Sequence, residues 1–348
     1  MIYYFAVLAG ITFSLIFTPL VRQLALRHQI VDLPGIRKIH LKPVPLLGGV
    51  AIFISFFLST IIFWSFGYIQ DSKINTWQIL AILTAGFILM IGGILDDKFN
   101  LKPTRQIIWP ILAIIIILLS GVKIQFVTNP LGGVLKFSSL MGTLLAAIWI
   151  LGMIYTTKFL DGLDGLVAGI TTIGAVIIFM VSLYWDVALS GTSILSLILA
   201  GSCLGFLVFN WHPAKIFLGE GGSVFCGFML GVLAIISGSK IATALLIMGV
   251  PILDVIWVII RRIWEGRSPA QADRKHLHFR LLDIGLNHRQ SVFILYLITV
   301  AFGTTSLFLH SKGKIIALVI LGIFMVSLIT SLVIVYQYKL QHGQKPKS

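Results

Sequence analysis

The chain has 348 residues, of which 58% are hydrophobic and 11% charged, and Lys plus Arg outnumber Asp plus Glu by 26 to 12. No soluble domain of this length hides so much apolar side chain, so the composition excludes a water-soluble fold and requires lipid. The formal net charge of +14 does not indicate nucleic acid, because the basic residues are dispersed and not gathered in an arm or motif; anionic lipids and phosphorylated substrates are the more economical partners.

Apolar runs of roughly 18–20 residues cross a bilayer core as helix. About eleven are predicted, near residues 2–21, 45–66, 77–95, 106–122, 139–155, 165–184, 192–209, 223–237, 241–260, 292–309 and 315–336. The fold class expected is therefore all-α and polytopic. One transmembrane catalytic domain spans 1–337, and a basic tail follows at 338–348. Taken alternately, the loops 22–44, 96–105, 156–164, 210–222 and 261–291, with the chain from 337 on, hold 20 of the 26 Lys and Arg. By the positive-inside rule that set is cytoplasmic, with the N-terminus outside and the C-terminus inside. Met1 to Thr18 carries no Lys or Arg, so the first run is expected to remain a span and not to be a cleaved signal. Only Asp71 and Asp186 among the acids fall outside, and seven of the eight His fall inside, so the chemistry is expected on one face. Cys203 and Cys226 lie in apolar runs and read as small buried hydrophobes.

The inner loops each carry polar groups. In DLPGIRKIHLKPVPLLGG (32–49), Arg37, Lys38, His40 and Lys42 offer a phosphate-facing surface, and an ordinary positive-inside loop is the bland alternative. In GGILDDKFNLKP (92–103), Asp96 and Asp97 are adjacent carboxylates that need a cation or a shared proton between them; the readings are a divalent ion with a raised-pKa base, or a solvated helix end. In KFLDGLDGL (158–166), Asp161 and Asp164 alternate with glycines that allow a tight bend, so both acids can face one opening beside Lys158. In FNWHPAKIFLGEGGS (209–223), Asn210, His212 and Lys215 crowd the segment. Glu220 among Gly219, Gly221 and Gly222 leaves helix-start amides to meet an anion. The loop 268–291 holds His276, His278 and Arg280; zinc lacks a Cys or a third spaced ligand there, and phosphate binding fits better.

Together DLPGIRKIH with PLLGG, LDD, LDGLDGLVAG, FNWHPAKIFLG, PILD before RR, and HLHFRLLDIGLNHRQ resemble the polyprenyl-phosphate N-acetylhexosamine-1-phosphate transferases, glycosyltransferase family 4. These stretches follow the family's order over roughly residues 32–290. The chain looks most similar to the branch that starts O-antigen and teichoic-acid type polymers with UDP-N-acetylglucosamine. The peptidoglycan-precursor branch, which transfers phospho-MurNAc-pentapeptide, has a longer His run than HLHF and is the alternative. Three motifs depart from the family pattern: Lys158 and Tyr155 replace expected Asn residues in one, Glu220 replaces an Asp in the second, and Phe279 replaces a third His in the last.

The resemblance implies a multi-pass enzyme of the bacterial cytoplasmic membrane with its site facing the cytoplasm. It would take a UDP-sugar and undecaprenyl phosphate, use Mg²⁺ or Mn²⁺ in its place, bind no nucleic acid, and leave a homodimer open. Glu220, helped by Asp161 or Asp97, would hold the metal; Asp96 would align or deprotonate the lipid phosphate, and Asp164 would orient the nucleotide-sugar or support the metal. Lys158 would contact the pyrophosphate, and the basic and amide residues named above would bind substrate. An ion-coupled transporter, predicting midplane charges and inverted repeats, and a catalytically altered relative are the competing classes. The CDP-alcohol phosphotransferases need a longer Asp-Gly array with Ala-Arg that this chain lacks.

Overall fold

The computed structural model describes residues 1–34, 42–70, 74–129, 133–185, 190–238, 240–266 and 276–341. Its elements in chain order are α1 (Ile2–Arg27), β1 (Val31–Asp32), β2 (Val44–Pro45), α2 (Gly48–Ser65), α3 (Thr76–Phe99), α4 (Pro103–Gln106), α5 (Ile108–Leu119), β3 (Phe126–Thr128), β4 (Val134–Lys136), α6 (Ser139–Leu160), α7 (Leu166–Trp185), α8 (Gly191–Asn210), α9 (Gly219–Ile236), α10 (Ile241–Trp264), α11 (Leu277–Asp283), α12 (His288–Phe308) and α13 (Ser311–Gln341). The two short strand pairs, β1–β2 and β3–β4, are antiparallel. The protein is an all-α, polytopic membrane protein. Local signals set several boundaries: Asn75 with Gln78 and Asn287 with Gln290 form capping boxes, and the Ser138 hydroxyl caps α6.

Among the described residues ten helices are long and apolar enough to cross a membrane: α1, α2, α3, α6, α7, α8, α9, α10, α12 and α13. The fourth expected run differs. Pro103 opens α4, which stops at Gln106, and the 12 residues of α5 follow. The Gln106 side chain turns away to reach Asp96 and Lys158. The chain nevertheless travels the full depth here, because Gln106 meets the end of α6 while Ile124, beyond α5, donates its amide to the Gly142 carbonyl near the start of α6.

Helix α9 is the axis of the bundle: 94% of its membrane-length window is buried, which explains why it is apolar on every side. Its first turn is wedged between α2 and α3 through glycine. A Cβ on Gly49 would come within 2.2 Å of Gly222 Cα, and one on Gly93 within 2.2 Å of Gly221 Cα. Backbone therefore lies on backbone, and Glu220 is set directly beside the end of α3.

Candidate active site

The ends of α3, α6 and α8 and the starts of α4, α7, α9 and α12 gather at one end of the bundle. At the end of α3, Asp96 Oδ1 accepts from the Leu101 amide at 2.8 Å, and Gln106 Nε2 donates to Oδ1 at 3.0 Å and Oδ2 at 3.1 Å. The other end of the same amide, Gln106 Oε1, accepts from Lys158 Nζ at 2.9 Å. Lys158 Nζ also pairs with Glu220 Oε1, and the Glu220 amide donates to Asp97 Oδ1 at 3.0 Å. A continuous chain of contacts thus runs Asp96–Gln106–Lys158–Glu220–Asp97. The anion expected at the glycine-rich start of α9 is present within the protein itself: it is the Asp97 carboxylate. Gly219 is required there, with φ of +75° and a would-be Cβ 2.5 Å from Asp97 Oδ2.

Asp161 closes α6 beside this chain. Its surface is open to water although protein atoms crowd it closely. That crowding, then the negative charges of Glu220, Asp97 and Asp164, push its carboxyl up to about 8, with water access moderating the first cause. Asp164, on the same turn, faces the 209–223 loop: its Oδ2 lies 2.6 Å from His212 Nδ1 and accepts from the Ala214 amide at 3.1 Å. Asn210 is buried, accepting from the Gly165 amide and donating to the Ile216 carbonyl, so it ties the turn to the loop. Lys215 is exposed, and its backbone carbonyl accepts from Arg22 at the end of α1.

The basic loop behaves differently from its sequence expectation. His276 and His278 are buried, where phosphate-facing side chains were expected. His276 Nδ1 lies 2.8 Å from Asp254 Oδ2, and the Leu277 amide donates to Asp254 Oδ1, which anchors α11 to α10. His278 packs under Gly162, whose Cβ would sit 2.2 Å from Nε2. Burial, then His276 and His288, hold the His278 imidazole down at about 3, so it is neutral and unsuited to a phosphate. Arg280, half-buried on α11, accompanies them. Arg37, Lys38 and His40 lie outside the described residues.

Asp96, Gln106, Lys158 and Glu220 line the head of a narrow cleft. Its walls continue as Leu89, Trp109, Pro110, Ile154 and Val224, an apolar track on α3, α5, α6 and α9. Gln106 is the residue that sequence reading missed. Its signal was a lone amide in the first turn of an apolar run just after Pro103.

A divalent cation such as Mg²⁺ needs several available oxygens in near-octahedral array. Here Glu220 Oε1 holds the Lys158 ammonium, both Asp96 oxygens hold Gln106, and Asp97 Oδ1 holds the Glu220 amide. Protonated Lys cannot ligate a metal and repels one. With the ammonium on Glu220, the set Asp97, Asp161 and Glu220 does not fit a resident divalent ion as arranged, although Asp97 Oδ2 and the Asp161 carboxylate accept no hydrogen bond among the described residues. Among the described residues the one group at metal-ligand spacing is Asp164, His212 and His288, within 4.8 Å of one another. The His212 and His288 rings are stacked, 4.0 Å apart and 14° from parallel, so their in-plane lone pairs run side by side and do not converge on one ion. His212 and the Ala214 amide clamp the Asp164 turn, with His288 stacked on the His212 ring and Arg289 donating to the His212 carbonyl.

Comparison with known proteins agrees with this architecture. The profile described as Glycosyl transferase family 4 matches residues 79–238. The chain is 35% identical over 322 residues to a probable undecaprenyl-phosphate N-acetylglucosaminyl 1-phosphate transferase of Bacillus subtilis, covering 90% of this chain and 86% of that one. It is 33% identical over 337 residues to a decaprenyl-phosphate N-acetylglucosaminephosphotransferase of Mycolicibacterium smegmatis, covering 88% and 83%. An undecaprenyl-phosphate alpha-N-acetylglucosaminyl 1-phosphate transferase of Yersinia pestis is 27% identical over 305 residues, covering 82% and 78%. With similarity of this extent running through the segments that build the charged cleft, the chain belongs to glycosyl transferase family 4.

Proposed function

We propose that the protein transfers N-acetylglucosamine 1-phosphate from UDP-N-acetylglucosamine to undecaprenyl phosphate, releasing UMP. A phosphate oxygen of the lipid attacks the sugar-bearing phosphorus. A new P–O bond forms there, and the bridging P–O bond breaks, so that UMP leaves with the bridging oxygen. Such a reaction brings several anionic oxygens together, and positioning and charge neutralisation dominate its catalysis.

The observation that carries the reading is the cleft itself, with a fixed charge chain at its head and an apolar track behind it. The track suits a polyprenyl chain and the head suits its phosphate. Asp96, whose orientation is fixed by Gln106 and the Leu101 amide, aligns or deprotonates the acceptor phosphate. The Lys158 ammonium lines the same space and has three donors, of which Glu220 and Gln106 use two. The third is available to the donor pyrophosphate. Asp164 orients the nucleotide-sugar from the adjacent turn. The bias of 20 of 26 Lys and Arg toward one set of loops supports a site on the cytoplasmic face of a bacterial inner membrane, where UDP-sugars are found.

The test uses purified protein, undecaprenyl phosphate and UDP-N-acetylglucosamine carrying label in the sugar-bearing phosphate. Label is expected to move into the lipid fraction. Asp96→Asn is expected to slow that transfer by about 10²–10⁴-fold, the usual range for loss of a positioned acid or base. Label remaining wholly water-soluble with the wild-type protein would refute the reading.

A further inference from the structure

We propose that the Lys158–Glu220 pair stands where a resident divalent cation would otherwise bridge this site, so that the ammonium is the cation that holds the donor pyrophosphate and transfer proceeds without a bound metal. The inference rests on the transferase reading and deepens it. Lys158 Nζ is fixed by Glu220 on one side and Gln106 Oε1 at 2.9 Å on the other. Through those two partners it is joined to Asp97 and Asp96. It therefore occupies Glu220, the one carboxylate it touches directly, and puts a positive charge where a dication held by Glu220 would have to sit.

Two of the four residues that depart from the family pattern, Lys158 and Glu220, are the two partners of this single ion pair. The two positions lie 62 residues apart, in the last turn of α6 and the first turn of α9, and the two changed side chains meet as one bonded pair. The glycine wedge at the start of α9 sets Glu220 beside α3, and from there its carboxylate meets the ammonium. Lysine is a compact cation with rotatable donors, suited to a phosphate as a point charge. Gln106 restrains it from the far side and lets it turn one N–H toward the cleft.

The experiment has two arms, both on the full-length protein stripped of metal. In the first, UMP and lipid-linked product are followed in EDTA and in Mg²⁺. Product forming in EDTA at the rate seen with Mg²⁺ is expected; product only with Mg²⁺ overturns the inference and leaves the transferase reading standing. Absence of product in both conditions removes the transferase reading, and the second arm then decides the cation question alone. In that arm, Mn²⁺ binding is read by electron paramagnetic resonance without substrate. The wild-type protein is expected to show no stoichiometric site, and the double variant Lys158→Asn with Glu220→Asp is expected to gain one. A stoichiometric site in the wild-type protein, or none in a double variant whose melting transition is retained, overturns the inference.

Discussion

Lys158 shows how one side chain changes the meaning of a motif. In sequence it is a cation next to two acids; in space it is the centre of a chain that joins α3, α4, α6 and α9. Its side chain and that of Glu220 are 19% and 21% exposed, so the pair lies between the surface and buried limits. Lys158→Met should therefore cost about 1–3 kcal/mol, below the range for fully buried pairs. Adding Glu220→Gln should recover part of that loss, because the charge left unpaired is then gone. A thermal double-mutant cycle measures this, and strict additivity would contradict the pairing. His278 gives a pH prediction of definite sign. Its folded pKa is about 3 against 6.5 for the free side chain, so below pH 6.5 the unfolded chain takes up a proton that the folded protein refuses. Stability from this group is complete above pH 6.5 and falls as pH is lowered, by up to about tenfold in the folding equilibrium per pH unit. His278→Leu should flatten the decline in melting temperature between pH 6.5 and 5, and an unchanged slope would contradict the burial argument.

At the scale of elements, close helix packing matters more than any loop. Gly93→Ala places a Cβ 2.2 Å from Gly221 Cα, so α3 and α9 must separate, at a cost of roughly 1–3 kcal/mol and with displacement of Glu220 from Asp97. Gly152→Ala on α6 meets nothing within 4 Å and should be neutral or slightly stabilising. Melting temperatures of the two variants check the contrast. This scale also divides what was legible in the sequence from what was not. The acids at helix ends, the glycines of the 158–166 and 219–222 turns, and nearly all spans follow from hydropathy and turn chemistry. The burial of His276 and His278 does not. Their alternation with Leu277 resembles a surface loop until Asp254, 22 residues upstream of His276, supplies His276 with a buried partner, while His278 is buried with no hydrogen-bond partner among the described residues. Gln106 was equally opaque, since a single amide at the edge of an apolar run gives no sign that its two ends bridge a carboxylate and an ammonium. Asn210 was recognised as a polar residue of the site, but backbone groups occupy its amide.

At the scale of the molecule, the ten membrane-length helices among the described residues and the shorter α5 bring charged residues from distant parts of the chain to one end, while α9 fills the centre. The apolar exterior holds the protein in lipid. The cleft between α3, α5, α6 and α9 opens that charged end toward an apolar track. Such a shape accounts for a reaction with one water-soluble and one lipid substrate. The most direct test is UMP release by purified protein with UDP-N-acetylglucosamine, with and without undecaprenyl phosphate. One UMP per lipid-linked sugar phosphate, strictly dependent on the lipid phosphate, is the result expected. UMP released at the same rate without the lipid, or none released with it, would contradict the account.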